Sequence, residues 1–163
     1  MQKTTHLLCA SLIASVSSVF STPSLAVDII TVPGSICEPE IGAQQAFFNN
    51  TVTNGIQNIS AATRSVTCPL VRDNHNNLNG TDSVLVVVFR DGVAAGNTPV
   101  TCTLYSKSVS GGTVASNTKQ FLGAGATTLA LDVNLSALNG YYALRCTLPP
   151  QARVIDIVIN EPL

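Results

Sequence analysis

Cys37, Cys68, Cys102 and Cys146 are the residues best suited to chemistry in this chain, and what precedes them decides which chemistry. Residues 1–26 read as an export leader. Met1-Gln2-Lys3 is a basic start, Leu7 to Phe20 an apolar run diluted by serines, and Pro23-Ser24-Leu25-Ala26 a helix breaker followed by small residues at a cleavage site. Cleavage before Val27 removes Cys9 and leaves four cysteines in an oxidising compartment, so a two-disulfide framework is expected. Four cysteines allow three pairings. Cys37–Cys68 is favoured because it ties a proline-rich arm to the first convincing strand, and Cys102–Cys146 because it joins two inward-facing positions. A zinc site would want paired Cys-x2–4-Cys spacing and histidines, and only His75 follows the leader.

Other reactive residues form no recognisable constellation. His75 would have to be the base of any Ser-His-Asp or Cys-His mechanism, yet it sits in the polar stretch Asp73-Asn74-His75-Asn76-Asn77-Leu78-Asn79-Gly80 without a Gly-x-Ser-x-Gly elsewhere. Asp73, Asn77, Asn79 and Asp82 of that loop are oxygen ligands of the kind calcium takes, but they are out of register with an EF-hand, and an Asn-rich hairpin loop is expected. Glycosidase-type pairs could be drawn from Asp28, Glu38, Glu40, Asp73, Asp82, Asp91, Asp132, Asp156 and Glu161, and spacing singles out none. No catalytic residue, metal or cofactor is therefore assigned. Sequons begin at Asn49, Asn58, Asn79 and Asn134 and matter only in a host that glycosylates its exports.

The elements that position these residues are strands. From Arg64 onward the pattern alternates with period two, which lines every second residue on one face. Val66, Cys68 and Leu70 share a face, as do Val100, Cys102 and Leu104, and again Leu144, Cys146 and Leu148. Three cysteines thus lie at the centre of apolar stripes, among core side chains. Ser83–Arg90 is apolar on both faces and reads as a central strand covered on both sides. Phe47–Thr53, Thr113–Leu122, Thr127–Val133 and Arg153–Ile159 complete seven or eight strands, the last with Ile155, Ile157 and Ile159 inward and Asp156 facing solvent. Val27–Gly42 reads as an extended arm or loop, and Gly55–Ala62 is too irregular to assign. Turn residues punctuate the strands at Asn79-Gly80, Asp91-Gly92, Gly111-Gly112, Gly123 to Gly125, Asn139-Gly140 and Pro149-Pro150. The expected fold is an all-β sandwich or jelly roll of antiparallel strands, one domain over residues 27–163.

If Cys102 pairs with Cys146, their strands are neighbours, and the faces turned away from the sulfurs carry Tyr105, Tyr141 and Arg145. Tyr and Arg dominate binding hot spots, so these three form the candidate binding face. The bland alternative is a threonine-rich solvated sheet. The lack of Trp weakens a sugar-binding reading built on an indole platform. With 8 Lys/Arg against 9 Asp/Glu, and Lys3 lost with the leader, the exported chain carries a net charge of about −2 without a basic cluster, which disfavours nucleic acid. Beyond the leader no apolar run is long enough to span a bilayer, Val84–Phe89 being far too short.

Cys-Pro-Leu-Val-Arg-Asp (68–73), Cys-Thr-Leu-Tyr-Ser (102–106) and Tyr-Tyr-Ala-Leu-Arg-Cys-Thr-Leu-Pro-Pro (141–150) resemble small exported bacterial β-rich proteins with two disulfides. The resemblance implies a secreted β domain and carries over no activity. The expected role is an exported structural or binding module with a protein or glycan partner. The competing readings are a secreted hydrolase using carboxylates, and a pilus-type subunit that donates an amino-terminal strand. For the latter, Val27-Asp28-Ile29-Ile30-Thr31-Val32 is short and stops at Pro33.

Overall fold

The computed structural model describes residues 28–71, 82–134 and 139–161. The leader, His75, Asp73, Asn77 and the Asn79-Gly80 turn lie outside them. The described residues form two antiparallel sheets from β1 (Asp28–Pro33), β2 (Glu38–Pro39), β3 (Phe48–Thr51), β4 (Gly55–Asn58), β5 (Arg64–Leu70), β6 (Asp82–Arg90), β7 (Val100–Lys107), β8 (Thr113–Phe121), β9 (Gly125–Val133), β10 (Tyr141–Leu148) and β11 (Arg153–Glu161). The first sheet runs β3-β4-β11-β6-β9, with β1 beside β4 on the same edge of β11; the second runs β2-β5-β10-β7-β8. This is an all-β sandwich.

Alternation builds the core between the sheets. Val66, Cys68, Val100, Cys102, Leu104, Tyr142, Leu144, Cys146 and Leu148 of the second sheet are fully buried, facing Val84, Val86, Val88, Leu131, Val154 and Ile157 of the first. Each such aliphatic side chain contributes about 1.5–3 kcal/mol by leaving water. The two sheets meet along one side, where β8 lies against β9 and the Asn117 side-chain amide donates to the Asp132 carbonyl at 2.9 Å.

The eight strands read from the sequence are present, and β1, β2 and β4 are additions. They come from the segments read as an arm or as irregular, and β2 and β4 are too short to show a period. Two glycines permit the crowding there. A Cβ at Gly34 or at Gly55 (φ 70°) would collide with the backbone carbonyl of Val154. Two other expectations change. A bulge between Val154 and Asp156 interrupts the β11–β6 register, so Val154 joins Ile157 and Ile159 in the core while Ile155 leaves the stripe. Bulges insert one residue and shift the following side chains by a position. Asp156 stays off the core face, half-buried. On β6, only the inner face is covered: Leu85, Val87 and Phe89 are half-buried on the outer face of the first sheet.

Candidate functional site

Cys37 is bonded to Cys68 across 31 residues, and Cys102 to Cys146 across 44. Cys102 and Cys146 stand directly opposite each other on β7 and β10, with Cα atoms 4.1 Å apart. All four cysteines are fully buried, which withdraws them from surface chemistry.

With the sulfurs inward, the alternate residues of β7 and β10 form the outward face of the second sheet. The register brings the three sequence candidates together. Tyr105 faces Ala143, and Ala143 faces Pro69 of β5 on its other side. Tyr141 and Arg145 flank Ala143 at two residues on the same strand, so both are diagonal neighbours of Tyr105, about 7–8 Å away between Cα atoms. Ala143 has only a methyl group. The register thus surrounds Ala143 with Tyr105, Tyr141, Arg145 and Pro69. Tyr141 is 44% exposed, and Tyr105 is half-buried.

Arg145 is paired with a carboxylate. Arg145 donates from Nε (3.1 Å) and Nη2 (2.8 Å) to Oε2 of Glu40, which arrives from the segment after β2. The Glu40 carboxylate holds the Arg145 guanidinium above its ordinary range, with a smaller push from Tyr105. Both partners are over 40% exposed, so the pair is worth at most about 1 kcal/mol to stability. Its significance is chemical: it presents a donor and an acceptor side by side. Lys107 sits over the Tyr105 ring, 5.2 Å from its centroid, and donates to Thr113 Oγ1 at 2.7 Å. Around them are hydroxyl pairs across strands, Thr103 with Thr118 (2.9 Å) and Ser65 with Thr147 (3.2 Å). In the sequence Glu40 is one of nine scattered carboxylates, and its 105-residue separation from Arg145 leaves no local signal.

Two concavities adjoin this sheet. A polar one of about 170 Å³ lies beside Glu40 and is lined by Glu40, Ile41, Gln44, Thr63, Arg64 and Ser65. A larger apolar cleft of about 370 Å³ is walled by Ile30, Val32 and Ile36 on one side, by Pro69, Leu70 and Val71 at the end of β5, and by Ile159. The β1 strand that walls it is paired with β11 of its own chain from Asp28↔Glu161 to Pro33↔Asp156, so the segment read as a candidate donor strand belongs here to its own sheet.

Remaining sequence candidates are engaged structurally or lie apart. Asp91 Oδ1 accepts the Val93 and Ala94 amides at 2.9 and 3.0 Å, which hold its carboxyl below the usual range. Asn58 is fully buried; its Nδ2 donates to the Ala62 and Leu148 carbonyls, both at 2.8 Å, which puts this sequon out of reach in the folded protein. Arg90, which the sequence reading passed over, is 2% exposed and donates to the carbonyls of Thr98 (2.9 Å), Gly123 (3.3 Å) and Gly96. It pins two loops together. Among the described residues no cluster of three His, Cys, Asp or Glu side chains could hold a metal, and no helix is long and apolar enough to cross a membrane.

No family model and no curated protein matches the chain. Among solved structures it is similar to the enzymatically active domain of bacteriophage CBA120 tailspike protein 4 (11% identity, TM-score 0.45, 82% of this chain and 18% of that one). It is also similar to an arabinose-bound α-L-arabinofuranosidase (12%, TM-score 0.42, 80% and 22%). A third is the family 11 carbohydrate-binding module of a cellulosomal cellulase of Clostridium thermocellum (7%, TM-score 0.38, 88% and 90%). The chain thus spans less than a quarter of the first two, and likenesses this distant say nothing of what it binds or whether it is an enzyme.

Proposed function

We propose that this protein is an exported recognition module that binds its partner through the outward face of its second sheet. Export is supported by the leader-like residues 1–26 and by two buried disulfides, which persist in oxidising compartments. The observation that carries the reading is the convergence of Tyr105, Tyr141 and Arg145 around Ala143. The fold has no need of them there: the core lies behind the sheet, and a threonine face would serve solvation as well. Tyr supplies large, stiff contact area, and Arg a planar donor fork, which is why both concentrate binding energy.

The test is the triple variant Tyr105→Ala, Tyr141→Ala, Arg145→Ala. Its melting midpoint should stay close to that of the parent, because exposed substitutions usually cost within about 0.5 kcal/mol each. Binding to the parent protein's partner in extracellular material of the native host should be lost. A variant that binds as the parent does would move the site elsewhere.

A further inference from the structure

We infer that the partner of this face is an uncharged, polyhydroxylated chain, a neutral glycan, lying across β7, β10 and β5 from Ala143 to the polar concavity beside Glu40; this rests on the recognition reading above. Charge is the first argument. At the centre of the path Arg145 and Glu40 are spent on each other, while the cations at its two ends are engaged locally, Lys107 over the Tyr105 ring and on Thr113 and Arg64 over the Phe47 ring. An anionic ligand would have to displace Glu40 and leave its carboxylate bare, and a cationic one would have to displace Arg145. A neutral ligand displaces neither. It meets a donor fork beside an acceptor, and the second oxygen of Glu40 adds another acceptor, an arrangement that suits two adjacent hydroxyls.

The second argument is the lining. The hydroxyls of Ser65, Thr103, Thr118 and Thr147 each donate and accept, so they can match hydroxyls of either polarity. Tyr141, 44% exposed, offers apolar ring surface to a sugar ring, and Tyr105, beneath Lys107, stands on the other side of Ala143. An apolar peptide would find its extended apolar lining instead in the cleft at the end of β5, beyond Pro69.

The third argument is continuity. Ser65 faces Thr147 in register and also lines the polar concavity. From Ala143 to Thr147 is four residues along β10, about 13–14 Å at strand rise. The path is therefore longer than one sugar ring and ends in a hollow lined by Gln44, Thr63 and Arg64, whose side chains can hydrogen-bond further hydroxyls.

Affinity electrophoresis of the disulfide-intact protein decides this with dextran, laminarin, galactomannan and xylan as neutral probes and polygalacturonate and chitosan as charged ones. At least one neutral polymer should retard the protein, equally at low salt and at about 1 M salt, where the screening length is about 3 Å. Tyr105→Ala should weaken that binding about tenfold. Glu40→Gln should weaken it too and, by freeing Arg145, should create retention on polygalacturonate that the parent lacks. No retention on any neutral polymer, or retention only on charged polymers and abolished by salt, overturns the inference. If that happens while the triple variant still loses the native partner, the ligand class falls and the recognition face stands. If a neutral polymer is bound equally by the triple variant, both fall.

Discussion

Opening the Cys102–Cys146 bond by Cys102→Ala with Cys146→Ala should cost about 4 kcal/mol. The bond closes a segment of 44 residues. In the chain-entropy account, closing such a loop removes about 13 cal/mol/K from the unfolded ensemble, or about 4 kcal/mol at 25 °C. The native side loses little backbone support, because β10 stays paired to β7 from Tyr141↔Lys107 to Thr147↔Thr101 and to β5 on its other edge. The effect is thus placed in the unfolded state. Urea denaturation tests both the size and the origin. With a slope of about 2 kcal/mol/M, the midpoint should fall by about 2 M, and the slope itself should rise because the freed chain exposes more surface when it unfolds. The same bond lies beneath Thr101, Thr103, Arg145 and Thr147, so its loss should also weaken binding at the outward face. A loss under about 1 kcal/mol with an unchanged slope would refute the loop-closure argument.

Further outcomes follow from single residues. Arg90→Met removes a buried guanidinium from three carbonyls; it should cost about 3 kcal/mol and lower the melting midpoint by about 10 °C, and a change under about 1 kcal/mol would show that the loops hold without it. Asp91 has a folded-state pKa below its unfolded value. Its contribution is therefore complete above the unfolded pKa of about 4 and disappears as pH falls through the lower folded value. Melts of the parent and of Asp91→Asn between about pH 2 and pH 6 should accordingly converge on the acid side; a gap that widens there contradicts the assignment.

Much of the sandwich is legible in the chain because its long strands bury one face each, and period-two stripes such as Val100, Cys102 and Leu104 then follow from the need to cover a core. The same stripes orient Tyr105, Tyr141 and Arg145 outward. What escaped reading has physical reasons. β2 spans two residues and β4 four, too few for a period. The bulge in β11 is hidden because Val154-Ile155-Asp156-Ile157-Val158-Ile159 offers an apolar residue at nearly every position, so either register buries a stripe. The Glu40 partner of Arg145 and the carbonyl cage of Arg90 depend on chain segments brought together only by the tertiary fold. Composition carries no trace of them.

The central claim is that ligand meets the outward face of the second sheet, and amide shift mapping on isotope-labelled protein tests it most directly. Titration with a bound polymer, or with the native partner, should move the backbone resonances of Thr103, Tyr105, Ala143, Arg145 and Thr67 together. Resonances of Ala126, Thr128 and Ala130, on the outer face of β9 in the other sheet, should stay in place. Shifts confined to that other sheet, or to Ile30, Val32 and Val71 around the apolar cleft, would contradict the account.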